Sequence, residues 1–427
     1  MNGMTGRGCA VALLLAAATC ARADGLQVVQ QALAASKPLV DVRLRYEHVE
    51  QAPLAEDAQA LTLRARMGIE TGKAWSTSLL AELNGLVAFE TDYRPDNAST
   101  YHSQYPVVAD PHELVINRLA LVNTAIPKTT VTLGRQRINL DDQRFIGASA
   151  WRQDEQTFDA LRVVSQPLPH LQLDVSYLDR VHRVFGRASP QGTYKGSGTL
   201  LNLAVPTAVG KITGFAYLLD LDPITAFAGL TAAQATPLNP ARVSTSTYGA
   251  RFAGEHALGS AKLGYIASWA RQTPRGSNPL SFSNDYALGE VSLRAGGLGL
   301  ALGDEHMAGN GTIGFSTPLG TVHPFDGWAD KFLATPANGL DNRYARASWQ
   351  WSKVLGVDSV SVTAIERGFR ATHVSADYGD ETDLQLAAKR KRLAASFFYA
   401  DYRAAAGTPT TVARDTRKIW LQLEYAR

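Results

Sequence analysis

Arginine recurs on one face of segments whose opposite face is apolar. Arg64 and Arg66, for example, alternate with Leu63 and Ala65. Residues two apart in a β-strand point to the same side, so this pattern predicts strands with one charged and one apolar face. A planar guanidinium pairs with a carboxylate through two hydrogen bonds, so a face rich in arginine favours anion recognition. The same alternation holds at Arg118, Arg162, Arg251, Arg294 and Arg346.

Two further arginines would lie on the charged face only if the strand were locally irregular. Arg135 and Arg137 share the parity of Leu133, which is apolar. A β-bulge at Gly134 is expected to rotate both inward, because glycine in a strand often marks a bulge. The charges then form either structural ion pairs across a water-filled wall or a cationic stripe that selects anions. The acidic residues assigned to the same lumen are Glu82 and Asp159.

The connections between the alternating segments set the architecture. Short turns, such as 126–128 and 206–210, alternate along the chain with much longer connections. This asymmetry is typical of a transmembrane β-barrel, which has short periplasmic turns and long extracellular loops. We therefore predict an all-β fold, an antiparallel up-and-down transmembrane barrel of about 18 strands, with 16 as the lower limit. The long connections are 91–112, 139–154, 181–196, 222–243, 271–284, 303–341 and 403–414.

The N-terminus indicates export. Residues 1–23 combine a positive charge at Arg7, a short apolar stretch and an Ala-x-Ala cleavage site, as in a signal peptide. Both cysteines lie in this segment, which excludes a disulfide framework or a cysteine metal site from the rest of the chain. Residues 24–37 then form a short periplasmic segment, and 38–427 form the barrel in the outer membrane.

The longest connection is expected to act as a gate. A barrel of 16 to 18 strands leaves an aqueous channel, so the pore is expected to be either open or gated by a loop. The 303–341 connection carries more large apolar side chains than a solvated loop tolerates, among them Phe315, Phe325 and Trp328. We expect this loop to fold back over or into the lumen.

Two sequence blocks resemble a known family. One is GRQRINLDDQRFIG at 134–147, followed by WRQDEQTFDA at 151–160. The other runs from GFSTPLG at 314–320 through FDGWADKFL at 325–333. Both are similar to signatures of the alginate export family of outer-membrane porins, over essentially the whole chain after residue 23. The resemblance implies a monomeric barrel of eighteen strands with an arginine-lined lumen that exports a polyuronate.

The resemblance also implies particular residues. In the first block, the matching pore-lining positions are Arg135, Arg137, Arg144, Arg152 and Asp159. The gating loop is a separate prediction that rests on the length and apolar content of 303–341, and the residues assigned to it are Phe315, His323, Phe325, Trp328, Asp330 and Lys331.

The resulting functional prediction is a passive, anion-selective porin that exports an alginate-like polyuronate. The alternative is a substrate-specific porin for the uptake of small organic acids. We expect neither a cofactor nor a bound metal, and the net charge of +3 does not suggest nucleic acid as a partner. The expected surroundings are outer-membrane lipid and lipopolysaccharide, with the barrel-assembly machinery as a folding partner and periplasmic export proteins as further candidates.

Two other classes remain open. A barrel enzyme needs a nucleophile, a histidine and a carboxylate at the outer rim, and His306, His323 and His373 with nearby serines are the candidates. A serine hydroxyl within hydrogen-bond reach of one of these rings would favour that class. A structural or adhesive barrel would instead have its lumen closed by loops.

Overall fold

The fold is a single closed β-barrel. A computed structural model of the chain describes residues 23–98, 100–224, 227–409 and 412–427. The predicted signal peptide lies outside the described residues except for residue 23, so its boundary stays a prediction. Eighteen antiparallel strands follow chain order around the barrel, and β1 closes it by pairing with both β2 and β18. The predicted all-β class, strand number and antiparallel order are confirmed.

The strands are long enough to cross a membrane at a tilt. Their bounds are β1 Lys37–Gln51, β2 Ala58–Glu70, β3 Thr77–Asp92, β4 Glu113–Asn123, β5 Thr129–Gln136, β6 Thr157–Leu168, β7 Leu171–His182, β8 Thr193–Thr207, β9 Gly210–Leu221, β10 Thr245–Leu258, β11 Ala261–Pro274, β12 Asn284–Ala295, β13 Leu298–Met307, β14 Leu340–Val354, β15 Val357–Arg370, β16 Asp377–Arg390, β17 Leu393–Ala404 and β18 Thr416–Ala426.

The connections differ between the two ends of the barrel. Short turns such as 169–170 and 296–297 lie at the periplasmic end, and nine longer loops, L1 to L9, lie at the extracellular end. Two of the nine, 52–57 and 371–376, are short and were not among the predicted long connections. The loops are 52–57, 93–112, 137–156, 183–192, 222–244, 275–283, 308–339, 371–376 and 405–415.

Helices are few. Helix α1 spans Ala23–Ala34 and lies in the predicted periplasmic segment except for its first residue. Near its end, the backbone N–H of Gly72 donates a hydrogen bond of 2.9 Å to the Ala32 carbonyl. Helix α2, Ala232–Ala235, and 3-10 turns at Thr236–Leu238 and Pro240–Val243 lie in L5. Among the described residues, no helix is long and apolar enough to cross a membrane.

Strand alternation separates the outer surface from the lumen. In β18, Leu421 and Leu423 are half exposed on the outside, whereas Trp420 and Lys418 are buried on the inside. Residues directly opposite each other on neighbouring strands lie on the same face of the sheet. The strand registers therefore show which residues of the other strands face the lumen and which face outward. The outer face is the apolar band that a bilayer requires.

Two loops fill the extracellular half of the lumen. L3 (137–156) and L7 (308–339) meet where Gly147 donates to the Leu319 carbonyl at 2.9 Å. Phe315 and Phe332 of L7 are fully buried, together with Ile146 of L3. The largest apolar cluster of the molecule therefore lies inside the barrel, where these loops pack against inward-facing side chains of the strands. The expected inward folding of the longest connection agrees with this packing, while its role as a gate stays a prediction.

Candidate substrate path

Six strands place an inward-facing arginine near their midpoint. Arg43 and Arg64 are the seventh residues of β1 and β2, and Arg118 is the sixth residue of β4. Arg162 is the sixth residue of β6, and Arg251 and Arg346 are the seventh residues of β10 and β14. We call these six inward-facing residues near the strand midpoints the arginine belt. Its members are Arg43, Arg64, Arg118, Arg162, Arg251 and Arg346.

Each belt arginine has a carboxylate partner. Nη2 of Arg118 lies 2.6 Å from an oxygen of Glu82, its partner on β3. Nη2 of Arg162 lies 2.5 Å from Asp174. Such charge-assisted pairs hold the guanidinium planes of Arg118 and Arg162 against the wall, and both side chains remain partly exposed in the lumen.

The remaining pairs follow the same rule. Nη1 of Arg251 lies 2.9 Å from Asp142 of L3, and Nη2 of Arg346 lies 3.4 Å from Glu290. On β1 and β2, Nη2 of Arg43 lies 3.1 Å from Glu424, and Arg64 pairs with Asp41. Structural ion pairs and a cationic stripe are alternatives in the sequence-based prediction. In the structure, the same inward-facing arginines form ion pairs and lie along the lumen.

Exposure divides these arginines into two groups. The Arg346 side chain is 41% exposed while its partner Glu290 is 12% exposed. Arg137 of L3 is 31% exposed, and its partner Glu155 is fully buried. Arg64, in contrast, is fully buried. An ion moving along the lumen thus meets the guanidiniums of the first group directly but not that of Arg64.

L3 covers the buried group. Arg45 donates to the carbonyl of Trp151 at 2.6 Å, and Arg43 donates to the same carbonyl at 3.1 Å. Arg66 bonds Glu155 at 3.1 Å. These guanidiniums satisfy backbone and carboxylate oxygens of L3, so they position the loop that narrows the lumen.

Arg144 joins L3 to both L7 and the wall. Its Nε lies 2.6 Å from Glu305 of β13, and its Nη2 lies 3.1 Å from Asp326 of L7. The side chain is 1% exposed. Although burial opposes a charge, the two carboxylates raise the pKa of Arg144, which therefore remains a cation. One buried charge network thus ties the two loops to the barrel.

The C-terminal part of L7 is docked by a second network. Asp330 accepts from Arg152 at 2.9 Å and from Lys418 at 2.7 Å, and it lies 2.8 Å from His323. Arg152 and Lys418 hold the pKa of Asp330 well below its usual range. Lys331 donates to Gln51 at 2.6 Å. Four of the predicted polar residues of L3 and L7, namely Arg152, His323, Asp330 and Lys331, therefore bind protein groups.

Aromatic rings complete the L7 contact. The His323 ring stacks on Trp151, with ring centroids 4.4 Å apart, and lies parallel to Trp328. Burial in this stack lowers the pKa of His323 to about 4, so the ring is neutral at physiological pH. The Phe325 carbonyl accepts from Arg367 at 2.7 Å, and Phe315 packs against Tyr286.

Arg135 and Asp159, which were predicted to line the pore, lie on the outer face of the barrel. Arg135 lies opposite Leu119 in the β4–β5 ladder and opposite Asp159 in the β5–β6 ladder, and Leu119 is exposed on the outer face. The ladders run through Gly134 without a register shift, so the predicted bulge is wrong. Gly134 instead adopts a φ of 121°. Arg135 and Asp159 therefore pair on the outside of the barrel, with Arg135 Nε 2.8 Å from the carboxylate.

The other predicted residues of the wall lie inside. Arg66 and Glu82 face the lumen near the belt, whereas Arg294 lies at the periplasmic mouth beside Glu255. Arg43 and Arg45 alternate with apolar residues in the same way and lie on the charged face of the first strand, but they were not among the predicted pore-lining residues.

Arg367 and Lys418 also face inward, but a different reason explains why they were not predicted. Arg367 shares its face with Ile365 and Phe369, which are buried against the lumen filling. Lys418 similarly shares a face with the buried Trp420. A pattern of alternating charged and apolar residues therefore cannot identify these two residues as inward-facing. Their neighbours on the inner face are apolar, because L7 packs on the strand there.

The residues considered for a barrel enzyme have other partners. His306 Nδ1 lies 2.6 Å from Asp341, and His323 contacts Asp330. Within the described ranges, no serine hydroxyl hydrogen-bonds a histidine ring, and no three His, Cys, Asp or Glu side chains are grouped to hold a metal ion.

Comparisons with known proteins give a structural likeness only. No protein-family model matches the chain, and no curated protein matches it. The resemblance to the alginate export family is therefore not supported. The structural neighbours correspond to this chain along nearly its whole length.

Three crystal structures illustrate the likeness. Pseudomonas aeruginosa OccK9 (OpdG) is 16% identical, with a TM-score of 0.68 over 92% of this chain and 99% of that chain. Acinetobacter baumannii OccAB4 is 11% identical, with a TM-score of 0.68 over 92% and 98%. Pseudomonas aeruginosa OpdK with vanillate is 14% identical, with a TM-score of 0.65 over 92% and 99%. The chain has the fold of these barrels and is an outer-membrane β-barrel of Gram-negative type.

Proposed function

We propose that the chain is a channel for the uptake of small organic acids across the outer membrane. The observation that carries this proposal is a set of guanidiniums that are at least partly exposed in the lumen. They belong to Arg118, Arg162, Arg251 and Arg346 of the arginine belt and to Arg137 at the edge of L3. Guanidiniums that are already held in place can form two hydrogen bonds with a carboxylate at little entropic cost. Their mutual spacing around the lumen would let an anion pass between weak sites without being trapped.

The loops favour a small substrate over a polymer. L3 and L7 pack a continuous apolar and charged layer inside the barrel, which includes the fully buried Arg144. A polyuronate chain would have to displace this layer, whereas a small acid needs only the space left beside it. The expected export of a polyuronate therefore gains no support, and the alternative of organic-acid uptake is preferred.

The structural neighbours agree with this choice of substrate. Vanillate, present with Pseudomonas aeruginosa OpdK, is an aromatic acid with a single carboxylate. The same charge and size suit the exposed guanidiniums of Arg137 and Arg346. Identity of this level supports the fold alone, so the substrate class of our chain rests on the belt.

Flux measurements with matched probes test the proposal. Proteoliposomes containing the full chain are expected to admit vanillate faster than vanillyl alcohol, and vanillyl alcohol faster than vanillylamine. Oligouronates should neither permeate nor block the channel. Arg137→Glu should lower the vanillate rate while leaving that of vanillyl alcohol unchanged. Equal rates for the three small probes, or faster entry of the amine, would contradict organic-acid uptake.

A further inference from the structure

The barrel wall has a gap between β4 and β6. Only five residue pairs join β4 to β5, from Leu119–Arg135 to Asn123–Val131. All the other ladders between neighbouring strands contain at least eight pairs. The ladder stops because β5 ends at Gln136, where the chain turns into the lumen as L3. Residues 113–118 of β4 then leave about 20 Å of strand edge without a strand partner.

A cavity occupies this gap. Its volume is about 490 Å³, within the range of small-molecule sites. Leu83, Leu114 and Ile116 form its outer part and are exposed on the lipid-facing surface. Asp154 and Glu155 of L3 form its inner end. The cavity therefore connects the apolar exterior with buried carboxyl groups.

Two of the carboxyl groups lack a close cationic partner. The Glu113 side chain is 6% exposed, and its Oε1 has no hydrogen-bond partner. Its other oxygen accepts the backbone N–H of Arg187 at 3.1 Å, while the Arg187 side chain lies at 4.0 Å and extends into solvent. Asp154 accepts from Asn84 at 2.9 Å. Burial, the neighbouring charge of Glu113 and a hydrogen bond to Glu113 raise the pKa of Asp154, as expected for two carboxyls that share a proton and carry one negative charge between them.

The other cations around the cavity are already engaged. Arg135 pairs with Asp159 through both Nε and Nη2, and His182 contacts the same carboxylate at 2.9 Å. Arg183 lies over two aromatic rings, with its guanidinium carbon 4.2 Å from the nearer ring centroid. The unbalanced charge of the cavity is thus negative and lies at its inner end.

We propose that this gap binds a cationic amphiphile, with an ammonium group against Glu113 and Asp154 and a hydrocarbon chain against Leu83, Leu114 and Ile116. The ammonium would supply the close cation that the Glu113–Asp154 pair lacks, and the chain would remain in contact with the lipid. Gly186 of L4 closes the top of the site, because it lies against Glu113 and Pro111. The site is separate from the arginine belt and does not depend on what crosses the lumen.

Binding of three probes with the same chain length tests this site. The full chain in a neutral detergent is titrated calorimetrically with octylammonium, octanol and octanoate. We expect octylammonium to bind most tightly. Glu113→Gln should weaken its binding about tenfold, the equivalent of one hydrogen bond to a charged group. Ile116→Trp should weaken it by filling the outer part of the cavity.

Glu366→Gln is the matched control. Glu366 is an exposed carboxylate on the outer face of β15, where it accepts only from Thr382 at 2.7 Å among its described contacts. Its removal should leave octylammonium binding unchanged. Equal affinities for the three probes, or an equal loss in Glu366→Gln and Glu113→Gln, would overturn the proposal. If Glu113→Gln fails to fold, as judged by heat-modifiable migration in gels, unchanged binding in Ile116→Trp would overturn it as well.

Discussion

Arg64 and Arg346 occupy the same position in their strands and face the same lumen, but their surroundings differ. Arg64 is fully buried beneath L3 and pairs with Asp41. Arg346 is 41% exposed and pairs with a less exposed carboxylate. A buried guanidinium stabilises the structure that narrows the lumen, whereas an exposed one meets the solute. The same residue type at the same strand position therefore serves two functions, depending on whether a loop covers it.

The strongest test of this division is the most buried arginine. Arg144→Ala leaves the carboxylates of Glu305 and Asp326 buried without their cation. Removing one partner of a buried pair costs about 3–5 kcal/mol, so the free energy of unfolding should fall by that amount. L7 should also detach, which would raise single-channel conductance.

The matched control for this variant is Arg346→Ala. Exposed pairs contribute about 0–1 kcal/mol, so urea titrations should show little loss of stability. Equal destabilisation by the two substitutions would show that burial beneath the loops does not separate the two groups of arginines.

Acid pH should weaken the docking of L7 through His323. The pKa of this ring is about 4 in the docked loop and ~6.5 in a released one, so the released loop binds the proton more readily. Docking stability is therefore fully present above about pH 6.5 and is lost progressively as the pH falls towards about 4. At pH 5 the loss is about 2 kcal/mol.

Channel recordings can detect this effect. Conductance fluctuations of the wild type should become more frequent between pH 7 and pH 5, and His323→Phe should remove the dependence. Asp330 keeps its charge over this interval, because its pKa lies well below its usual range. Fluctuations that stay constant with pH, or that persist unchanged in His323→Phe, would argue against this role of the ring.

Much of the fold could be predicted from the sequence, but only part of the site. Alternation identifies the strands because each strand separates lipid from water, and it correctly places Arg118 and Arg346 inside. It cannot distinguish Arg64 from Arg346, since burial beneath L3 depends on long-range packing. It fails at Arg367, whose neighbours face an apolar loop rather than water. At Arg135 simple alternation gives the outer face shared with Leu133, and the error came from the bulge assumed at Gly134.

A smaller loss of stability is expected when a buried arginine is replaced but its carboxylate partner is accessible to water. Arg64→Met leaves Asp41, which is partly exposed and can be hydrated, so we expect a loss of about 1–3 kcal/mol in unfolding free energy. Ion selectivity should be unchanged, because Arg64 does not contact the lumen solution. A change in selectivity without a loss of stability would place Arg64 with the exposed arginines.

The smallest effect is expected at the periplasmic mouth. Arg294 is largely exposed beside Glu255, in water that screens its charge within ~8 Å at physiological ionic strength. Arg294→Gln should therefore leave stability within about 0.5 kcal/mol of the wild type. It should change conductance only at low salt, as single-channel recordings at two salt concentrations would show.

The measurement that tests the central claim most directly is the reversal potential of the wild-type channel in a potassium chloride gradient. We predict a preference for chloride over potassium, and a decrease or reversal of that preference in the double variant Arg137→Glu, Arg346→Glu. A wild-type channel that prefers potassium, or a double variant with unchanged selectivity, would contradict the assignment of the exposed arginines to an anion path.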